Sequence, residues 1–122
     1  HCQHKFANDV NKTFKLIDAY TNEAAQLTLS LDLIYHLTED KVFDSYMKLL
    51  FDSSTRFVII YSSNTDRQSR IQARHVKHRN FSKWIEEKML GWKLISQIPN
   101  KYPYADNEQV ETFADFYLYE KS

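Results

Sequence analysis

Apolar positions in this chain recur in two rhythms, and the switching between them predicts alternating strands and helices. Leu27-Thr28-Leu29-Ser30-Leu31 alternates with a period of two and reads as a strand. From Val42 to Phe51 the residues Val42, Phe43, Tyr46, Met47, Leu49 and Leu50 recur at helical spacing, behind an acidic start at Thr38-Glu39-Asp40. Phe57-Val58-Ile59-Ile60-Tyr61-Ser62 is apolar on both faces, as a central strand of a parallel sheet would be. Phe81 to Lys88 predicts a helix with Phe81, Trp84 and Ile85 on one face, stopped by Gly91 in a left-handed position. Trp92 to Ile98 alternates enough for a half-exposed strand, and Phe113 to Tyr119 reads as the closing strand. At the other end, Thr13 to Ile17 reads as a short strand ending at Asp18, and 1–12 as a polar lead-in or the end of a helix.

The resulting order is strand, strand, helix, strand, helix, strand, strand, which is an α/β pattern. The link from Pro99 to Thr112 carries both prolines and is too short for a crossover helix, so the last two strands are expected to be antiparallel. Ser63 to Arg74 lacks apolar periodicity and reads as a loop. The 122 residues suit one domain, 1–122, and show no repeat or linker. Sixteen basic and sixteen acidic residues cancel, so no charged field points to nucleic acid or an anionic membrane. No apolar stretch approaches the ~20 residues of a membrane span, and no signal-peptide pattern opens the sequence. A single cysteine, Cys2, excludes an internal disulfide framework and fits a reducing, cytoplasmic compartment. There is one glycine where average usage of about 7% gives roughly eight or nine. That excludes a glycine-rich phosphate or dinucleotide loop within these residues.

Ser30-Leu31-Asp32-Leu33-Ile34-Tyr35-His36-Leu37 resembles the stretch after the fourth strand of class I S-adenosylmethionine-dependent methyltransferases. The likeness continues: Phe57 to Ser62 is similar to the fifth strand, and Arg79 to Ile85 to the start of the next helix. Gly91-Trp92-Lys93-Leu94 resembles the entry to the sixth strand, and Phe116 to Lys121 the seventh. The resemblance covers 13–121 and only the C-terminal half of that fold, strands three to seven. It implies a partial, Rossmann-like α/β sheet, mostly parallel with an antiparallel C-terminal strand pair. It further implies the C-terminal portion of a methyltransferase acting on a small-molecule or glycan-type acceptor, using S-adenosylmethionine in the complete parent and inactive as an isolated chain. The glycine-rich turn and the ribose-binding acid of the family are not in this sequence. Exposed sheet edges are then expected to be covered by a homodimer or by swapped elements. The competing expectation is a non-catalytic α/β interaction domain that associates through such an edge.

The resemblance assigns Asp18 to the adenine amino group and the small Ser30 to close backbone approach by the cofactor. Asp32 and His36 are the catalytic candidates: the acid orients an acceptor or caps a turn, and the imidazole takes a proton from a hydroxyl or amine. Ser62, Ser63 and Asn64 offer hydroxyl and amide groups at a strand's carboxyl end, where ligands bind in open α/β sheets. His75, in the basic run His75-Val76-Lys77-His78-Arg79, and Tyr102, in Tyr102-Pro103-Tyr104, complete the substrate-binding candidates. No metal is expected. His1, Cys2, His4, His75 and His78 have ligand chemistry, but the second cysteine pair of a zinc site is missing.

Overall fold

The structure is a computed structural model and describes residues 2–5, 7–20, 23–66, 76–100 and 114–122. Its centre is a four-stranded sheet of β1 (Ala25–Leu31), β2 (Ser54–Ser62), β3 (Trp92–Ile98) and β4 (Asp115–Lys121), in the order β1-β2-β4-β3. β1 runs parallel to β2, and β4 runs antiparallel to both β2 and β3. Three strands therefore point one way and the inserted β4 points back. This is the α/β class and the antiparallel terminal pair expected from the sequence. A short helix, α1 (Cys2–Lys5), lies at the start; α2 (Asp40–Asp52) connects β1 to β2, and α3 (Phe81–Lys88) lies between β2 and β3. Two single 3-10 turns, Ile17–Ala19 and Ile34–His36, flank β1.

Both larger helices cover the same face of the sheet. Phe43, Met47, Leu50 and Phe51 of α2 are buried at i, i+4, i+7 and i+8, one stripe of a 3.6-residue period. Phe81 and Ile85 of α3 join them over Val58, Ile60, Tyr117 and Tyr119, which the strand pleat points to that side. Burying each such side chain contributes ~1.5–3 kcal/mol before ordering costs. Edge-to-face ring pairs fix the registry: Phe51 with Trp92 at 5.1 Å and Tyr119 at 5.7 Å, and Phe81 with Tyr117 at 4.9 Å. The opposite face carries Leu27, Leu29 and Leu31, which are 43%, 51% and 53% exposed.

Two expectations fail. Thr13 to Ile17 forms no strand; the segment ends in the 3-10 turn over Ile17–Ala19, with Leu16 and Ile17 largely exposed. A strand exists only through a ladder partner, and no described strand pairs with this segment. Asp18 accordingly sits in a turn and not at a strand's carboxyl end. Gly91 does not adopt a left-handed backbone, and a Cβ there would meet nothing within 4 Å. The end of α3 closes instead through Met89 N–H to the Ile85 carbonyl and Trp92 N–H to the Met89 carbonyl, at 2.8 and 3.1 Å. The loop expected over 63–74 is described only to residue 66, and the link after Asn100 lies outside the described residues.

Candidate functional site at the carboxyl ends of β1 and β2

Strands β1 and β2 end side by side, and the chain turns sharply as it leaves β1. Asp32, directly after β1, has φ 60°, the one left-handed non-glycine backbone among the described residues. Aspartate tolerates this conformation better than most residues, but such positions concentrate at ligand-binding sites. The Asp32 N–H still donates to the Tyr61 carbonyl at 2.9 Å, so the strand is held to its last bond while the side chain is redirected.

That carboxylate is exposed and accepts a hydrogen bond from the Tyr35 hydroxyl on Oδ1. Partial burial, the bond to Asp32 and the nearby Tyr61 push ionisation of the Tyr35 phenol far above its ordinary range. Tyr35 thus stays a neutral donor at any physiological pH. Its ring lies against two imidazoles, with centroids 4.5 Å from His36 and 6.2 Å from His78. His36 is exposed at the end of the 3-10 turn, on the same turn as Asp32. His78 is buried, with Nδ1 2.7 Å from the Ser63 hydroxyl.

Segment 76–80 is bound to this turn by its own side chains and backbone. Lys77 N–H donates to the Tyr35 carbonyl at 2.7 Å, and Lys77 Nζ reaches Asp40 at 3.0 Å. Arg79 is nearly buried: Nη1 donates to the Leu37 carbonyl, and Nη2 to the Thr38 carbonyl at 2.9 Å and to Asp40 at 3.0 Å. The guanidinium also lies 4.5 Å over the Phe43 ring. Lysine and arginine together hold the Asp40 carboxyl below the usual carboxylate range. Beside this staple a groove of about 540 Å³ runs between α2 and α3, where Trp84 Nε1 donates to Asp44 at 2.9 Å.

The sequence-derived candidates separate by position. Asp32 and His36 share one exposed turn, linked through Tyr35. Ser30 lies on the helix-covered face, 2% exposed, and accepts from the Tyr46 hydroxyl at 2.9 Å; towards the sheet end it offers only backbone. Ser62 is fully buried and Ser63 faces His78, so neither hydroxyl opens to solvent. Asn64 bonds Ser82 with both ends of its amide, at 2.9 and 3.2 Å, and so fixes the start of α3. Asp66 accepts from Asn80 N–H at 2.9 Å, and Asn80 caps the helix through Lys83 N–H at 3.1 Å. His75 and Tyr102 lie outside the described residues, as does the side chain of Asp18. Tyr35 was not legible as a site residue, and His78 and Arg79 were legible only as members of the basic run from His75 to Arg79. Asp32 and Tyr35 at a spacing of three was the available signal for the first.

Among the described residues, no glycine lies at the carboxyl ends of β1 and β2. The one glycine, Gly91, opens β3, which runs in the same direction as β1 and β2; it therefore sits at the opposite end of the sheet from Asp32.

No family model matches the sequence, and no curated protein does. Solved structures do match by shape. One is LepI in complex with S-adenosylmethionine (SAM); another is a cysteine-to-alanine LepI variant in complex with S-adenosylhomocysteine (SAH) and a substrate analogue. Each superposes at a TM-score of 0.52 over 82% of this chain, with 10% sequence identity. The chain spans 27% of the length of either. At that identity the likeness is one of fold alone: the described elements form a mixed α/β sheet similar to part of these SAM- and SAH-bound structures.

Proposed function

We propose that this chain is the C-terminal, acceptor-side portion of a SAM-dependent methyltransferase acting on a small-molecule or glycan-type acceptor, and that it is inactive alone. The observation that carries the reading is the β1-β2-β4-β3 sheet, matched over 82% of the chain to structures holding SAM or SAH. When bound, SAM supplies an electrophilic methyl group on a positive sulfonium. In the proposed parent, its cradle is built by elements other than those described here, including a strand that completes the sheet beside β1.

The part assigned to this chain is acceptor handling. Asp32, held by Tyr35, orients a hydroxyl or amine at the carboxyl end of β1. His36, exposed on the same turn, takes the proton that the acceptor releases. Positioning by itself supports much of such a reaction, so removal of His36 is expected to slow turnover without abolishing it. The reading places no role on nucleic acid or membrane partners, and no helix among the described residues is long and apolar enough to cross a membrane.

Calorimetry and a methyl-transfer assay test the reading together. This chain should bind SAM more weakly than about 1 mM, while the complete gene product binds it in the micromolar range. In the complete product, His36→Ala and Asp32→Ala should each lower kcat/KM while leaving SAM affinity unchanged. Micromolar SAM binding by this chain would show that the cofactor site has been misplaced. No SAM binding by the complete product would sink the methyltransferase reading. One observation favours a second reading, a non-catalytic interaction domain: the open, uncharged edge of β1.

A further inference from the structure

Two mostly polar helix stripes face each other across the groove between α2 and α3. On α2, Asp40, Phe43 and Asp44 line it at i, i+3 and i+4. On α3 and its cap, Asn80, Lys83, Trp84 and Glu87 line it at i, i+3, i+4 and i+7. Helix faces turned toward each other usually close on apolar contacts, as the buried stripes of these two helices do over the sheet. Here the carboxylates of Asp44 and Glu87 and the ammonium of Lys83 are exposed, and among the described residues no ion pair joins the two helices. The floor is aromatic: buried Phe43 packs edge-to-face with half-buried Trp84 at 5.8 Å. Trp84 Nε1 donates to Asp44 Oδ1 at 2.9 Å, which fixes the indole at the groove and leaves the second Asp44 oxygen to accept from elsewhere. The volume of about 540 Å³ lies within the ~300–1,000 Å³ of small-molecule sites.

We propose that this groove binds a neutral carbohydrate of one or two pyranose rings. A charged ligand meets an opposing group whichever its sign: an anion faces Asp44 and Glu87, and a cation faces Lys83. Asp40 adds no free acceptor, because Lys77 and Arg79 already take its carboxylate. A neutral polyhydroxyl ring uses both kinds of group at once. Its hydroxyls donate to Asp44 and Glu87 and accept from Lys83, while its C–H face packs on the Trp84 indole. From Asn80 to Glu87 the stripe rises about 10 Å along the helix, enough for two rings. The groove adjoins the Asp32–His36 turn, since Lys77 and His78 form part of its wall. Lys77 N–H donates to the Tyr35 carbonyl at 2.7 Å, and the His78 ring lies 6.2 Å from that of Tyr35. As a subsite for a glycan acceptor the groove rests on the methyltransferase reading; as a sugar site it rests on its own lining.

Nuclear magnetic resonance titration of this chain with cellobiose, maltose and diacetylchitobiose tests it, with spermidine as the cationic probe. At least one sugar should shift the Trp84 indole N–H resonance with a Kd on the order of 1 mM. The Trp92 indole, packed against Phe51, should not move. Glu87 is exposed, so Glu87→Ala should keep the fold by circular dichroism and weaken sugar binding by about fivefold or more. Glu86→Ala, a matched change beside it that does not line the groove, should leave binding unaltered. A Trp84 resonance unmoved by all three sugars at about 20 mM overturns the proposal. So does spermidine binding more tightly than every sugar, which makes this a cation site, or an affinity unchanged by Glu87→Ala. Should Glu87→Ala not fold, Lys83→Ala, also exposed, puts the same question. Sugar binding is read without SAM, so its failure is distinct from a failure of the complete product to bind SAM.

Discussion

Removing the Arg79 guanidinium tests how the candidate site is held together. Its partners lie about forty residues upstream in sequence: the carbonyls of Leu37 and Thr38, the carboxylate of Asp40, and the Phe43 ring. Charged hydrogen bonds are worth ~1.5–3 kcal/mol each when a charged donor is lost. Leu37 is half-buried and Thr38 exposed, so the freed carbonyls regain water and the lower end applies. Stacking over Phe43 adds ~0.5–2 kcal/mol at a site only 9% exposed. The Asp40 side chain is 75% exposed, so its ion pair is screened and adds little. Arg79→Ala should therefore destabilise the fold by about 4 kcal/mol, a large share of the ~5–15 kcal/mol typical of a domain. Arg79→Lys keeps the charge but not the planar fork, and should recover less than half. Urea unfolding followed by circular dichroism measures both, with unchanged m-values confirming a two-state comparison. Asp40→Asn is the control. If it costs as much as Arg79→Ala, the surface ion pair and not the carbonyl clamp is the source, and the reasoning fails. A loss below about 1 kcal/mol for Arg79→Ala refutes it outright.

Two further outcomes follow from backbone and burial. Asp32 has φ 60°, so Asp32→Val should cost about 1–2 kcal/mol while Asp32→Gly costs nothing or stabilises slightly; equal stability of the two denies the left-handed turn. Burial raises the phenol ionisation of Tyr35 and Tyr119 well above the ordinary value of 10. The folded state thus favours their protonated form; this stability is present in full below pH 10 and is lost as pH rises beyond it. In an ultraviolet titration, Tyr35 and Tyr119 should ionise last of the eight tyrosines and together with unfolding. Normal titration of Tyr35→Phe and wild type alike near pH 10 contradicts this for Tyr35.

Local rules were sufficient wherever a segment carries its own stop signals. The spacing of Phe81, Trp84 and Ile85 gave the bounds of α3, and alternation gave those of β3, both in agreement with the structure. β1 and β2 start earlier than their apolar runs, at Ala25 and Ser54. The polar lead into β2 is held by the Ser54 hydroxyl, which donates to the Gln26 carbonyl at 3.2 Å, a contact across strands that no local pattern encodes. Thr13 to Ile17 shows the reverse case, an apolar run without a neighbour to pair with.

At the site the division is sharper. Strand ends and the acidic turn were readable, so Asp32 and His36 could be placed at a sheet edge from the sequence alone. Which hydroxyls face the helices was not, because Ser30, Ser62 and Ser63 look alike until the pleat and the packing of α2 and α3 assign each a side. Nor could the run from His75 to Arg79 reveal that Arg79 turns inward to clamp the Leu37 and Thr38 carbonyls. Periodicity is a property of neighbours in the chain, and it determined the elements and their class. Hydrogen-bond satisfaction is a property of neighbours in space, and only the tertiary structure decided which polar groups remain to face a ligand.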